Sequence, residues 1–304
     1  MKTILVAGLI NIETTLKVEQ FPIPYFPVNY PFFGVNTTVS GVGYNLAKAH
    51  RILGNAVRLC TLIGPVNEPN AHITHLALDQ DGILQGYIHH TLQQTPQSVI
   101  LYDPTGRREI YTDLKDIQEQ SYPAEDFTNA MHNADLLSIC NINFAREHLE
   151  TAQASGIPIA TDVHVLNDPH DRYNADFMGA ADILFLSDEQ LPDTPENFLR
   201  TLYEIYHNEI IILGMGENGA LLYEGRSSFM THVPAVETRP VVNTIGAGDA
   251  LFTSFCHCWL KTGNALLALR KAVVFAAHKI GEASAAAGFL SDTQLETWSK
   301  KIYG

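Results

Sequence analysis

Short runs that are apolar at every position recur along the chain, separated by segments of helical period. "ILVAGLI" (4–10), "AVRLCTLIG" (56–64), "ADILFLS" (181–187) and "EIIILGMG" (209–216) are strand-length and do not alternate. A strand without alternation must be covered on both faces, which a parallel sheet between two helical layers achieves. The intervening segments supply those layers. "GYNLAKAHRILG" (43–54) puts Leu46, Ala49, Ile52 and Leu53 on one helix face. "AEDFTNAMHNADLLSIC" and "AREHLETAQASGIPIATDV" each predict a helix then a strand, and 250–287, rich in Ala and Leu, predicts helices. The fold class is therefore α/β, a central mostly parallel sheet flanked by helices. With 304 residues, 46% hydrophobic and 17% charged, one globular unit spanning 1–304 is expected.

Two stretches break the rhythm. Residues 11–40 carry Pro22, Pro24, Pro27 and Pro31, which rule out a helix there. "SVILYDPTGRREIYTDL" (98–114) predicts a β-hairpin around an Asp-Pro-Thr-Gly turn. Together they are expected to form a small β lid, from about 12–40 and 88–114, over an active site. An extended lid strand would leave an edge for a second copy, so a homodimer through the lid is a further expectation.

Charge and motif content exclude several classes. A net charge of -14 with no Lys/Arg run argues against a nucleic-acid partner. The chain has no apolar run long enough to span a membrane, and its apolar start reads as a first strand, so a cytoplasmic protein is expected. Four scattered cysteines make no disulfide framework, and Cys256 and Cys258 lack the second ligand pair that zinc needs. His72 with His75 and His89 with His90 read as solvated surface pairs. "GMGENG" (214–219) matches a dinucleotide fingerprint, but "ALLYEG" follows as a strand where a helix is required, so its glycines belong to a β-turn. No Gly-Lys pair allows a P-loop.

"NTIGAGDALF" (243–252) is the stretch with chemistry in it. A Gly-Ala-Gly turn at the start of an apolar helix leaves backbone N–H groups and the helix dipole free to hold an anion. Asp249 beside them has two readings. It is either a helix cap or a base that takes a proton from an alcohol while the amides stabilise a phosphoryl group.

"NTIGAGD" (243–249) is similar to the motif D-T-x-G-A-G-D, and "SGVGYNLAKAHRILG" (40–54) to G-G-x-x-x-N-x-A with a glycine after the helix. By these two motifs the chain resembles the PfkB/ribokinase family of carbohydrate and nucleoside kinases, and the order of elements agrees over its whole length. The resemblance implies a ribokinase-like fold with ATP and Mg2+. It implies Asp249 as general base, Gly246, Ala247 and Gly248 as anion hole, and Glu13, Gly41, Asn45 and Asn141 (or Asn143) on the acceptor. Gly216, Gly219 and Thr244 would lie along the nucleotide. The implied activity is phosphorylation of a hydroxymethyl group on a sugar or sugar-like acceptor.

Departures from the family pattern fall on the site. Asn243 replaces the Asp associated with a monovalent cation and removes its charge. "LFLSDEQ" (184–190) stands at an N-x-x-E motif, with Ser187 for Asn and Glu189 or Gln190 near the Glu that helps to hold magnesium. Ser40 replaces a Gly, and Glu13 is one methylene longer than the usual Asp. Three alternatives follow: a nucleoside kinase, with "PYFPVNYPFF" (24–33) stacking a base; a sugar- or nucleotide-binding protein without activity; and a Rossmann oxidoreductase.

Overall fold

The computed structural model of the chain describes residues 1–304. The chain begins with β1 (Thr3–Ala7), then leaves the main body for β2 (Asn11–Lys17) and β3 (Val35–Ser40), and returns through α1 (Val42–Ile52) to β4 (Ala56–Leu62). α2 (Pro69–Gln80) and β5 (Ile88–His89) precede a hairpin of β6 (Gln97–Tyr102) and β7 (Arg108–Asp113). α3 (Ala124–Met131), β8 (Leu136–Ile139), α4 (Asn143–Arg146), α5 (Leu149–Ala154), β9 (Ile159–Val165), α6 (Ala175–Ala180), β10 (Ile183–Ser187) and α7 (Pro195–Tyr206) continue the alternation. β11 (Ile210–Gly214), β12 (Ala220–Glu224) and β13 (Phe229–Val233) end the sheet, and α8 (Ala247–Thr262), α9 (Ala265–Lys279) and α10 (Asp292–Tyr303) end the chain.

The large sheet has nine strands in the order β13-β12-β11-β10-β9-β8-β1-β4-β5. Its strands run parallel from β5 to β11, and β12 and β13 add an antiparallel edge. The non-alternating strands serve two faces as expected. Ile183 and Phe185 join the core that holds Phe252 and Phe255 of α8, while Leu184 and Leu186 join Phe198, Leu199 and Leu202 of α7. The ring of Phe185 meets that of Phe252 edge-on at 4.9 Å. No helix is long and apolar enough to cross a membrane.

The proline-rich stretch and the hairpin form a separate four-stranded sheet, β3-β2-β6-β7. Its second segment starts at Gln97, not near 88, because Ile88 and His89 pair with Thr61 and Leu62 of β4 in the large sheet. Other sequence expectations are corrected too. Ile52 is 37% exposed, since α1 is buried on its Leu46 and Ala49 side. Helix does not reach residue 287: it stops at Lys279, and in the Ala-rich segment after it the Ala283 carbonyl accepts from Asn243 while Ala285 lies against Gly246. His75 and His90 are not independent solvated groups, for their Nε2 atoms lie 3.1 Å apart and His90 Nδ1 bonds the Gly64 carbonyl.

Candidate active site

Chain order reverses at β1, which has β4 on one side and β8 on the other. At such a switch point the connections leave in opposite directions and open a crevice beyond the carboxyl ends of the strands. Cys140 after β8, Asp162 of β9 and Asp249 of α8 meet there, walled by Val42, Leu46 and Phe252.

Gly246 is the N-cap of α8, with φ 76°, and a Cβ on it would lie 2.6 Å from the Ala285 carbonyl oxygen. Only glycine fits that backbone without strain. The Ala247 N–H closes a turn onto the Thr244 carbonyl at 3.2 Å, so it is not an open donor as the motif implied. The N–H groups of Gly246, Gly248 and Asp249 have no acceptor in the chain. Asp249 is the third helical residue, and no side chain caps the helix. Its Oδ2 instead accepts from Asn45 Nδ2 at 2.7 Å, so the carboxylate faces α1 across the crevice and is not spent as a cap. It is half-buried, with exposed Gly248 beside it. Burial pushes the Asp249 carboxyl above its ordinary value, with Asp162 adding to the rise; the Asn45 hydrogen bond, His164 and Lys279 oppose it.

On the lid side, β2 carries Glu13, only 5% exposed, with Oε1 lacking any hydrogen-bond partner. Burial raises its pKa and Asp249 adds to this, while Ser40 and Lys279 pull it down. Gly41 is the N-cap of α1, at φ 101°, with the Leu9 carbonyl oxygen 2.6 Å from where a Cβ would sit. Ser40 turns its hydroxyl onto Asn45 Oδ1 at 3.4 Å and so helps to aim the Asn45 amide at Asp249. Asn141 makes no hydrogen bond to these residues. Its amide donates to Asn174 Oδ1 at 3.0 Å, and that of Asn143 to the Gln118 carbonyl at 3.0 Å. The turn holding Gly216 and Gly219 joins β11 to antiparallel β12, as its sequence predicted, and Gly214 faces Leu251 of α8.

A model of the pfkB family carbohydrate kinases matches residues 1–292. The chain belongs to this family. Its relatives include an acarbose 7(IV)-phosphotransferase of Actinoplanes sp., 23% identical over 255 residues that cover 83% of each chain. An ATP-dependent ribose-1-phosphate kinase of Halopiger xanaduensis is 25% identical over 96% of this chain and 99% of its own. Among solved structures, a microbiome-derived acarbose kinase superposes with a TM-score of 0.87 at 22% identity, covering 98% of this chain and 99% of that one. A ribokinase from Giardia lamblia gives 0.84 at 15%, over 99% of both. The fold is ribokinase-like.

This PfkB kinase holds residues at the crevice that the motifs did not single out. β9 bulges before its end: Phe185 pairs with Asp162 but Ser187 with Val165. A bulge re-aims side chains, and here it leaves His164 at φ 60° with its Nδ1 3.5 Å from Asp162 Oδ2. Burial works against a charged imidazole, but the Asp162 and Asp249 carboxylates outweigh it and lift His164 to about 9. From the lid, Arg108 donates to Thr244 Oγ1 at 3.0 Å and reaches Glu189 at 3.6 Å. Ile100 of the lid packs with Ile245 and Ala285. The small sheet therefore rests directly on the 243–246 turn. No local pattern marks a bulge or a long-range arginine contact, so these were out of reach of motif reading.

Proposed function

We propose that the chain is an ATP-dependent kinase that phosphorylates a hydroxymethyl group of a sugar or sugar-like acceptor. The observation that carries this is the Asp249 carboxylate, held by Asn45 beside the unpartnered N–H groups of Gly246, Gly248 and Asp249. Asp249 takes the proton as the acceptor oxygen bonds to the γ-phosphorus; the bond to the bridging oxygen breaks and ADP leaves. The open N–H groups stabilise charge on the transferred group. Glu13, with its unpaired buried oxygen, accepts from the acceptor's hydroxyls together with Asn45.

ATP lies along the outer side of the turn, by Gly216, Gly219 and Thr244. Mg2+ bound to a triphosphate takes most of its ligands from phosphate and water, so one or two carboxylates suffice. No group of three His, Cys, Asp or Glu side chains converges as a closed metal cage. Glu189, 61% exposed at the end of β10, fits the role of a single added ligand. The ion offsets the triphosphate charge. A second copy of the chain docks on the lid.

Mixing the protein with Mg2+-ATP and a panel of ribose, 2-deoxyribose, fructose, acarbose, adenosine and inosine tests the reading. Asp249→Asn should lower kcat by about 10³-fold while ligand-dependent thermal shifts persist. Near wild-type turnover in that variant refutes the assigned base.

A further inference from the structure

Lys279, the last residue of α9, is 0% exposed, and nothing in the reaction above uses it. A lysine is seldom fully buried unless its charge is matched. Its ammonium donates to the Ile245 carbonyl; burial lowers its pKa to about 8, and the carboxylates of Asp249, Glu13 and Glu282 oppose the fall and favour the charged form. Ile245 is four residues before Asp249, so its carbonyl is the acceptor that the Asp249 N–H would take if the helix extended one residue further back. With the ammonium on that carbonyl, the Asp249 N–H stays open.

A second carbonyl behind the turn is served in the same way. Asn243 Nδ2 donates to the Ala283 carbonyl at 3.1 Å, while Asn243 Oδ1 accepts from the Ile245 N–H at 2.8 Å. A carboxylate at 243 could not make the first of these bonds, because an ionised carboxylate only accepts. Both carbonyls thus have protein donors, and the positive charge is covalently part of the chain. A monovalent cation beside residue 243, which the family resemblance implied, does not fit these residues.

The geometry points to Lys279 as a positioning residue of the phosphoryl-transfer site, a built-in cation that holds the Ile245 carbonyl away from the helix ladder, keeps the Asp249 N–H free for the transferred group and replaces a dissociable alkali ion.

This inference rests on the kinase reading, and the test separates the two. Phosphoryl transfer and melting temperature are measured in potassium, sodium, ammonium and tetramethylammonium chloride at constant ionic strength. For the wild type, both should be the same in all four salts. Lys279→Ala should lose about tenfold or more in kcat with little change in acceptor KM. It should regain part of that loss, and melt higher, in potassium or ammonium chloride than in tetramethylammonium chloride. Asn243→Asp leaves the core filled and should acquire potassium stimulation. It decides the matter if Lys279→Ala fails to fold. A wild type stimulated several-fold by potassium overturns the proposal, as does Lys279→Ala with wild-type kcat, a folded Lys279→Ala that no cation rescues, or a salt-indifferent Asn243→Asp. A wild type that transfers phosphate to no acceptor overturns the kinase reading instead, and the melting curves still report on the internal cation.

Discussion

Asp249 sits between opposing influences. Burial and Asp162 favour its neutral form, whereas Asn45, His164 and Lys279 favour the carboxylate, and the balance leaves its pKa above the ordinary 3.8. A general base works only when deprotonated, so activity must fall as the pH drops through that raised value. The acidic limb of kcat/KM is expected above 3.8. Asn45→Ala removes a donor to the charged form and should move the limb higher still. A pH–rate profile checks this, and a limb that stays in place or moves down in the variant counts against the assignment. The open N–H groups of Gly246 and Gly248 beside the Asp249 carboxylate were readable because the motif is local: turn, donors and carboxylate lie within a few residues. Ala247 was misread as a donor, since a motif shows which N–H groups exist but not which are already bonded.

At the scale of elements, α1, α8 and α10 are fastened by a buried polar chain. Asn55 Nδ2 lies 3.0 Å from Nδ1 of both His50 and His257, and His257 Nε2 lies 3.0 Å from Asp292 Oδ1. Burial, with His257 nearby, pulls His50 down from 6.5 to about 3. Above 6.5 the folded and unfolded chains both hold this imidazole neutral. As the pH falls below that, the unfolded chain takes up a proton that the folded one refuses, so stability declines down to about 3. His50→Asn, which keeps a polar side chain, should lose less stability than the wild type between neutral pH and about 5. Urea unfolding of the two proteins measures this, and parallel pH dependences would exclude His50 as the cause. Strand existence was readable from the non-alternating apolar runs. The end of α9 was missed although Gly281 offers a local stop, because the alanines up to 287 suggest that helix resumes, whereas the Ala283 carbonyl is taken by distant Asn243.

For the whole molecule, the lid faces two ways. Inward, Ile100 and Arg108 touch the 244–245 turn beside Asp249. Outward and at its rim, Tyr25, Tyr30, Phe32 and Phe33 are exposed, as are Val99 and Tyr111, which pair across β6 and β7. Exposed aromatics of this kind are the surface on which the proposed second copy would dock. Light scattering on the purified protein should give the mass of a dimer, and Phe32→Ser with Tyr111→Ser should give that of the 33.6 kDa monomer. A wild type that is monomeric at micromolar concentration would sink the second copy proposed on the lid.

What the sequence determined by itself was whatever rests on near neighbours. Apolar runs require a doubly covered parallel sheet, prolines forbid a helix at 22–31, and the Gly-Ala-Gly turn opens donors beside Asp249. The tertiary structure decided what depends on distant groups sharing one volume. It brought Glu13 from the lid, Asn45 from α1, Asp162 and His164 from a bulged strand and Lys279 from a helix end to a single carboxylate. It also gave the Asn141 amide a partner in Asn174. Charge and hydrogen-bond supply are settled by distance in space, and no spacing along the chain encodes that distance.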